Sequence, residues 1–415
     1  MNKIPITIGV DNAYILPACV VIISLEENKK IDTEYIYYFF CTEELNDVGK
    51  CQLERLRKKY TNINLNVICV PEKMFQGAKM GLLGDYSTIA TYLRLFIPYL
   101  LENIDKCIFL DADIIVCDDL SELFNIDTTD CYVAGVRDFI ISTTKVEERK
   151  KTLQIESMDS YLYAGVLLMN LEKIRKDFNI EIFYKDMKVG YPLEDQDIIN
   201  KRFFGKIKKI QLKYNLLNRY LYRPDLLSEE VYTKKDINEA VEHPVIIHFP
   251  GERKPWIFRR AKGCEKWWKY AESFMSMDEK LTYLEMENNY LDLLNFENIL
   301  TACGKKVVIW GCSKLGRELA QKLRNKEITT IAWGDNNKLI QGSIVDNIPV
   351  IERNMLSELV YDSIIIASQH GYVQIKEELL ALNIKEEKIL RYIPKTDIYY
   401  MALTQEWYEK ESHYE

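Results

Sequence analysis

The sequence has 415 residues, of which 47% are hydrophobic, and its 55 basic and 63 acidic residues give a formal net charge of −8. This composition is typical of a globular protein and excludes a disordered chain, and a chain of this length is expected to form two or three domains. The acidic balance argues against general nucleic-acid binding, so no nucleic-acid partner is expected.

The ten cysteines are scattered, and none belongs to a Cys-x-x-Cys pair. Several, such as Cys69 and Cys107, lie inside apolar runs, which favours free buried thiols in a reducing compartment. Residues 1–10 carry no long apolar core and no cleavage signal, and no apolar run reaches membrane-spanning length. These features predict a cytoplasmic protein, with a peripheral position at the inner face of the membrane as the alternative.

Strand-like and helix-like segments alternate over the first 275 residues. We predict strands over residues 4–10, 35–41, 65–70, 106–110, 132–136, 164–170 and 245–249. We predict helices over residues 16–25, 43–60, 89–100, 171–178 and 265–274. This alternation predicts an α/β domain with a mixed, mainly parallel sheet and crossover helices. The mixed charges of the aromatic helix 265–274 favour packing against this domain over a membrane surface.

The composition then changes twice along the chain. We predict a first domain over residues 1–275, a charged helical connector over 276–304, a smaller Rossmann-like α/β domain over 305–400, and a tail over 401–415. In the third segment, Gly311-Cys312-Ser313-Lys314-Leu315-Gly316 follows a predicted strand and is similar to a Rossmann phosphate loop, and Asp335 lies where a ribose-binding acid would lie. Ser313 replaces the middle glycine, which argues against nucleotide binding and favours the alternative, a structural or partner-binding module.

Two carboxylates interrupt the apolar run over residues 108–116. Asp111 and Asp113 follow the predicted strand 106–110 at its carboxyl end, where ligands bind in open α/β sheets. Residues two apart in an extended segment point to the same side, and two like charges held together cost free energy unless a cation lies between them. The pattern predicts a divalent metal site; the alternative is a polar loop in which one aspartate caps the following segment.

Three further stretches carry candidate site residues. The guanidinium fork of Arg94 suits a diphosphate or a carboxylate, although a structural ion pair is the alternative. His248 lies in a predicted strand, and Gly251 and Lys254 follow it in a loop that suits a diphosphate; the alternative is a satisfied core histidine. Asp195 and Gln196 lie in an acidic helix start that the helix dipole explains only in part.

Six separated motifs, in one order, make residues 1–275 similar to glycosyltransferase family 8, which includes bacterial lipo-oligosaccharide galactosyltransferases and the glycogenins. The motifs are Asp11-Asn12-Ala13-Tyr14, Thr91-Tyr92-Leu93-Arg94, Leu110-Asp111-Ala112-Asp113, Ala164-Gly165-Val166-Leu167-Leu168-Met169-Asn170, Asp195-Gln196-Asp197 and His248-Phe249-Pro250-Gly251-Glu252-Arg253-Lys254-Pro255-Trp256. The resemblance implies a GT-A type α/β domain that transfers a hexose, glucose or galactose, from a UDP-sugar with retention of anomeric configuration.

The resemblance also implies roles for individual residues. It implies that Asp111, Asp113 and His248 bind Mn²⁺, with Mg²⁺ as the alternative ion. The donor-binding residues that it implies are Asp11, Asn12 and Tyr14 at the uridine, Arg94, Ala112, Tyr163 and Asp195 at the sugar, and Gly251 and Lys254 at the diphosphate. It implies that Gln196, with Asp195 as a second catalytic candidate, faces the anomeric carbon opposite the leaving group. Tyr163 stands where the family often has asparagine, so we expect a reshaped sugar pocket.

The chemistry of these residues favours a particular mechanism. Oxygen ligands with one imidazole suit manganese better than zinc. Retention requires either a carboxylate nucleophile and two displacements or attack from the face of the leaving group. Because the amide of Gln196 is a poor nucleophile, we expect front-face attack in which the departing phosphate oxygen accepts the proton of the acceptor.

Several functional alternatives stay open at this stage. The acceptor is a saccharide, a lipid-linked glycan or a protein-linked glycan, and oligomerisation is not excluded. A nucleotide-sugar-binding or scaffold protein without turnover is a second hypothesis, which Tyr163 favours by crowding the sugar. An NAD-dependent sugar-nucleotide enzyme centred on residues 311–316 is the third hypothesis, and Ser313 argues against it.

Overall fold

The computed structural model describes residues 2–81, 88–221, 223–229, 231–251, 254–256, 263–294, 296–368 and 372–392. These residues fall into two compact units, Met1–Lys280 and Leu281–Glu415. The predicted tail 401–415 and residues 393–400 of the predicted third segment lie outside the described residues. Glu252 and Arg253 of the last motif lie outside them as well.

The first unit alternates strands and helices as the sequence predicts. Its strands are β1 (Asn2–Val10), β2 (Thr33–Cys41), β3 (Asn64–Cys69), β4 (Lys106–Leu110), β5 (Ile114–Val116), β6 (Val133–Arg137), β7 (Leu162–Asn170), β8 (Ile207–Lys209), β9 (Leu216–Leu217) and β10 (Ile246–His248). Its helices are α1 (Ile15–Asn28), α2 (Asp47–Lys59), α3 (Leu93–Leu100), α4 (Ser121–Phe124), α5 (Phe139–Thr143), α6 (Val146–Leu153), α7 (Leu171–Asp177), α8 (Glu181–Met187), α9 (Glu194–Arg202), α10 (Lys234–Glu242) and α11 (Cys264–Glu272). Helix α2 begins later than predicted because the Asn46 side chain caps it by accepting from Gly49 N.

A seven-stranded sheet with the order β3-β2-β1-β4-β7-β6-β8 forms the centre of this unit. Strand β1 runs parallel to β2 and β4, β2 runs parallel to β3, and β6 runs parallel to β8. Strand β7 is antiparallel to both of its neighbours, β4 and β6. The predicted mixed, mainly parallel sheet is therefore confirmed. Asp11 and Asp111 follow the adjacent central strands β1 and β4, so both begin loops at one edge of the sheet.

Strands β5, β10 and β9 form a second, three-stranded sheet in the order β5-β10-β9. Strand β10 is antiparallel to β5, with His248 opposite Ile114, and it is parallel to β9, with His248 opposite Leu217. Ile114 directly follows Asp113. Strand pairing therefore brings His248 next to the acid pair although the two are far apart in the sequence.

Side-chain burial follows from these pairings. Helix α11 packs with Trp267 and Trp268 buried, as predicted from its mixed charges. All ten cysteines lie within the described residues and are free, as predicted. The expectation that Cys69 is buried is wrong, because β3 is the edge strand of the sheet and leaves it exposed, whereas Cys107 on central β4 is buried.

The segment after α11 forms helices α12 (Met277–Leu294) and α13 (Phe296–Ala302). The second unit then contains β11 (Lys306–Trp310), α14 (Lys314–Arg324), β12 (Thr329–Gly334), β13 (Ile344–Val345), β14 (Ile348–Ile351), β15 (Ser363–Ile366), α15 (Tyr372–Ala381) and β16 (Ile389–Arg391). These strands form a six-stranded sheet in the order β13-β14-β12-β11-β15-β16, parallel except for the pair β13 and β14. Among the described residues, no helix is long and apolar enough to cross a membrane.

Candidate active site

Asp111, Asp113 and His248 converge at the carboxyl edge of the central sheet. His248 Nε2 lies 3.3 Å from Asp113 Oδ1 and 3.7 Å from Asp111 Oδ2. One potential ligand atom from each residue lies within 4.8 Å of the other two. Asp113 and His248 are buried, as is the intervening Ala112, while Asp111 is partly exposed. The structure thus brings together the three residues that the sequence suggested for one cation.

Gly165 makes room for this convergence. Asp111 N donates to the carbonyl of Gly165 on the antiparallel strand β7 at 2.8 Å. A Cβ atom at residue 165 would lie 2.2 Å from His248 Cε1 and 2.7 Å from Asp111 Oδ2. Any side chain at this position would therefore displace the imidazole or the carboxylate. Glycine is required here for space, because backbone, carboxylate and imidazole meet at one point.

Asn215 fixes the orientation of the imidazole. His248 Nδ1 lies 2.9 Å from Asn215 Oδ1. Since an amide oxygen can only accept, Nδ1 carries a hydrogen, and Nε2 is the ring nitrogen on the side of the two aspartates. A hydrogen bond of this kind to the second ring nitrogen is what usually orients a histidine that ligates a metal. The donor set of carboxylate oxygens and one oriented imidazole fits Mn²⁺.

Lys254 supplies a second positive charge beside the acid pair. Its Nζ forms a short ion pair with Asp113 Oδ2 and donates to the carbonyl of Phe249 at 3.1 Å. Burial alone would raise the pKa of Asp113, but Lys254 and His248 outweigh burial and lower that pKa well below its usual range. Gly251 lies in the loop between His248 and Lys254. It has a φ of +76°, a turn conformation that glycine adopts without strain.

The predicted uridine-binding residues organise the loop after β1. Asp11 Oδ1 accepts from the backbone N–H groups of Ala13 and Tyr14 at 3.0 and 3.1 Å. Asn12 donates to the carbonyl of Glu44 and accepts from Asn46 N. Tyr14 lies next to the diphosphate candidate, because Lys254 Nζ is 5.9 Å from the centre of its ring. Contact of these three residues with uridine stays a prediction.

Arg94 bridges two carboxylates beneath the site. Its guanidinium lies 3.0 Å from Asp111 Oδ1 and 2.8 Å from Asp195 Oδ2, and it donates to the carbonyl of Ala164. It also stacks on the ring of Phe109, with the guanidinium carbon 4.4 Å from the ring centre. The ion-pair alternative for Arg94 is therefore seen in the structure, and the pairing connects the acid pair to Asp195.

Asp195 is a buried carboxylate with a raised pKa. Burial raises the pKa of Asp195 to about 6, against the opposing charge of Arg94 and a hydrogen bond from the Thr91 hydroxyl. The residue before it, Glu194, has a left-handed φ of +49° and accepts from Gly81 N at 2.9 Å. A non-glycine residue in this conformation costs about 1 kcal/mol or more. The helix dipole alone is thus an incomplete account of this acidic helix start.

The side-chain amide of Gln196 is held at both ends. Its Oε1 accepts from Ala164 N at 3.0 Å. Its Nε2 donates to Asp138 Oδ2 at 3.0 Å and, at 3.4 Å, to the hydroxyl of Tyr161, which in turn donates to Asp197. The oxygen of Gln196, its only atom that resembles a nucleophile, is therefore already engaged by the backbone.

Asp138 is a site residue that the sequence reasoning missed. It is buried, follows strand β6 and caps α5 by accepting from Ile141 N at 3.0 Å. Burial raises the pKa of this carboxyl, opposed by its hydrogen bonds from Ile141 and Gln196. The rule that selected Asp111, an acid directly after a buried strand, also applies to Asp138 and was not used for it.

Tyr163 packs against the proposed ligands. Its ring meets the His248 imidazole edge-on, with 5.2 Å between the ring centres. It also forms part of a small cavity, with room for about one water molecule, that we call the tyrosine cleft, lined by Asp138, Tyr163, Asn215, Leu217, Tyr220 and Tyr232 among others. The cleft adjoins His248 through Tyr163 and Asn215, and it adjoins Gln196 through Asp138. The sequence reasoning identified only Tyr163 of these residues.

In the second unit, the carboxylate of Asp335 binds the backbone of the candidate phosphate loop. Asp335 Oδ2 accepts from Cys312 N at 2.8 Å, and Asp335 Oδ1 accepts from Asn337 N at 2.8 Å. Ser313 caps α14 by accepting from Gly316 N. A carboxylate thus binds the loop N–H that a phosphate oxygen would need, and its charge would repel a phosphate. This arrangement favours the structural alternative over NAD binding.

The fold and the site together define the first unit as a GT-A type α/β domain. A solved structure of galactosyltransferase LgtC in complex with donor and acceptor sugar analogues is similar to it with a TM-score of 0.56 and 23% identity, covering 66% of this chain and 97% of that one. That likeness supports the fold.

Sequence comparisons give the family. The family model described as glycosyl transferase family 8 matches residues 5–259, more than half of the chain, and the protein therefore belongs to this family of glycosyltransferases. A second model, described as C2185-like, N-terminal, matches residues 303–390. The resemblance predicted from the six motifs is confirmed.

Two curated relatives agree with this membership. A putative glycosyltransferase of Haemophilus influenzae is 32% identical over 257 residues, which is 59% of this chain and 71% of the relative. A lipopolysaccharide 1,2-glucosyltransferase of Escherichia coli is 28% identical over 309 residues, which is 68% of this chain and 86% of the relative.

Proposed function

We propose that this protein transfers a hexose, glucose or galactose, from a UDP-sugar to a glycan acceptor, with retention of configuration and with Mn²⁺ held by Asp111, Asp113 and His248. The observation that carries the proposal is the convergence of those three side chains within reach of one ion. The glycan is a saccharide, a lipid-linked glycan or a glycoprotein glycan. The oriented Nε2 of His248 and the space left by Gly165 support a cation site over an incidental cluster.

Charge at the leaving group is the first requirement of this chemistry. A divalent cation bound between the aspartates would supply positive charge to the diphosphate as the bond to the sugar breaks. Lys254 supports the same end, because its ammonium is buried beside Asp113 and keeps its charge: burial lowers its pKa, but Asp113 outweighs burial and raises it. Preorganised positive charge in a buried site stabilises such a leaving group most strongly.

Front-face attack agrees with the hydrogen bonds of the candidate nucleophiles. The oxygen of Gln196 is engaged by Ala164 N, and Asp195 is held by Arg94 and Thr91. Both groups are thus already engaged by neighbouring residues, which supports attack by the acceptor itself. The acceptor hydroxyl would therefore attack on the side of the leaving group and pass its proton to the departing phosphate oxygen.

Release of UDP from a panel of UDP-hexoses, with and without manganese and saccharide acceptors, tests the proposal. We expect release from UDP-glucose or UDP-galactose that a chelator abolishes, and an α-linked product by NMR. Asp113→Asn is expected to lose about a hundredfold or more of the rate, while Asp130→Asn, at an exposed site, keeps it. Tight binding of UDP without release of any hexose would support a scaffold protein instead.

A further inference from the structure

Arg219 carries a guanidinium without an ion partner next to the tyrosine cleft. Within the described residues no carboxylate pairs with it, and its Nε is buried without any hydrogen-bond partner. Its other contacts are a hydrogen bond from Nη2 to the Tyr220 hydroxyl at 3.0 Å and stacking over the same ring. A buried donor that makes no hydrogen bond costs about 1–3 kcal/mol, so such a group usually has a partner in the functional state.

Asn215 presents a second unused donor on the same segment. Its Oδ1 is engaged by His248, whereas its Nδ2 is buried and has no hydrogen-bond partner. Asn215 lines the tyrosine cleft. Arg219 lies close enough to the cleft that its charge lowers the pKa of Asp138 and of Tyr163, against the larger effect of burial. Two N–H donors without hydrogen-bond partners thus lie four residues apart, Asn215 lining the cleft and Arg219 next to its lining residue Tyr220.

The other cations of the site differ from Arg219 in this respect. Arg94 is paired with Asp111 and Asp195, and Lys254 is paired with Asp113. Arg137, which lines the cleft, lies 3.3 Å from Asp159. Among the described residues, Arg219 therefore makes no direct ion pair, although its charge acts on Asp138 nearby, and it suits an incoming anion.

The position of the cleft indicates which of the two substrates carries that anionic group. Lys254 and Tyr14 lie together at the leaving-group side of the acid pair, whereas Arg219 neighbours Asp138, which contacts Gln196. Three of the residues that line the cleft are tyrosines, and Asp138 and Asn215 are among its polar groups. A guanidinium binds carboxylate and phosphate in the bidentate geometry.

We propose that the acceptor binds against the face of the protein at the tyrosine cleft and that Arg219, with Asn215, selects an acceptor that carries an anionic group, a phosphate or a carboxylate, near the attacking hydroxyl. This inference rests on the proposed sugar transfer. Arg219 is a specificity-determining residue in this proposal. The N–H donors of Arg219 and Asn215 that have no hydrogen-bond partner bind the charged group of the acceptor.

Equilibrium titration of the full chain with methyl phosphate and, separately, with acetate tests the proposal without requiring the acceptor. Both titrations are made at saturating UDP and Mn²⁺. We expect at least one anion to bind, and Arg219→Gln to weaken that binding about tenfold or more because a charged hydrogen bond is lost. Arg219→Lys is expected to be intermediate, since a point charge replaces a fork. The anion that binds identifies the acidic group.

Arg223→Gln is the matched control, because Arg223 is a nearby, partly exposed arginine that already pairs with Asp225 at 2.6 Å. It is expected to bind the anion as the wild type does. The proposal is overturned if neither anion binds, or if Arg219→Gln binds as tightly as the wild type, which would place the anion on the metal.

The donor diphosphate is the other source of anionic charge, and the same variants distinguish it from the anionic group of the acceptor. If Arg219→Gln weakens UDP instead of methyl phosphate or acetate, the guanidinium serves the donor and the acceptor assignment is wrong. Failure of the proposed function is recognised independently, because UDP release from UDP-hexoses is measured on the wild type and does not depend on the anion titration.

Discussion

The side-chain amide of Gln196 donates to the buried carboxylate of Asp138 at 3.0 Å while its oxygen accepts from Ala164 N at the same distance. These two bonds fix the orientation of the amide, because only the nitrogen can donate and only the oxygen can accept. The amide oxygen of Gln196 is thus already bonded to the backbone of β7, and we expect Gln196 to maintain the shape and polarity of the site.

Gln196→Ala is therefore expected to slow transfer without abolishing it. Loss of one preorganised polar group costs about a hundredfold in rate, whereas loss of a covalent nucleophile would cost far more. Steady-state rates of UDP release and intact-mass spectrometry of the reacting enzyme give the measurement. Gln211→Ala, at an exposed position, serves as the control. A glycosylated wild-type enzyme would contradict front-face attack.

Arg94→Lys is expected to lower kcat/KM about a hundredfold and to weaken Mn²⁺ binding. The guanidinium contacts Asp111, Asp195 and the carbonyl of Ala164 together, and a lysine ammonium cannot span the three. Manganese titration by calorimetry and UDP-release kinetics test both effects. Arg57→Lys is the control, because Arg57 is exposed and makes one bond, to the backbone carbonyl of Leu65. Unchanged manganese affinity would show that Arg94 does not position Asp111.

Gly165→Ala is expected to remove manganese binding from a protein that still folds. The added Cβ would lie 2.2 Å from His248 Cε1, and overpacking of this kind costs about 1–3 kcal/mol of stability. Gly9→Ala is the matched control, since the added Cβ there meets its nearest neighbour at an ordinary 3.5 Å. Thermal melting with and without manganese reads out both effects. Manganese stabilisation of Gly165→Ala equal to that of the wild type would argue against this triad as the metal site.

Tyr163→Asn is expected to change the preference between UDP-glucose and UDP-galactose about fivefold or more, because the ring beside His248 shapes the sugar pocket. Tyr163→Phe keeps the ring and removes only the hydroxyl, so it is expected to keep the wild-type ratio. Ratios of kcat/KM for the two donors give the answer. Equal ratios in all three proteins would remove Tyr163 from donor selection.

The stability of the first unit is expected to depend on the ion pair of Glu279 with Arg55. Glu279 accepts from Arg55 at 2.7 and 2.9 Å and from Ser276 N at 2.7 Å. Burial would raise the pKa of Glu279, but Arg55, Gln52 and Ser276 lower it from 4.5 to about 2. A lowered folded-state pKa adds stability above pH 4.5, and this stability is lost as the pH falls from 4.5 towards 2.

Glu279→Gln should accordingly destabilise the protein by about 1–2 kcal/mol at pH 7, after allowance for partial exposure of the pair. Its difference from the wild type should shrink once the pH falls below 4.5. Urea unfolding at pH 7, 5 and 4 gives the measurement, with the exposed Glu272→Gln as control. A difference that grows towards acid pH would contradict the assignment.

The sequence by itself determined the family, the alternating order of strands and helices, and the positions of Asp111, Asp113 and His248. Apolar runs and the acids that follow them are local features, and the periodicity of burial is readable from neighbouring residues. The same local rule would have found Asp138. The burial predicted for Cys69 from its apolar run was wrong, because the exposure of a strand residue depends on which strands lie beside it.

Only the tertiary structure decided which of these groups meet. The pairing of β10 with β5 and β9 places His248 between Ile114 and Leu217, and neither partner can be read from the residues around His248. The bonds of Gln196 and the bond of Asp335 to the loop of the second unit join residues from different elements. Side-chain contacts of this kind depend on sheet register and loop path, which are set by packing of the whole unit and not by local pattern.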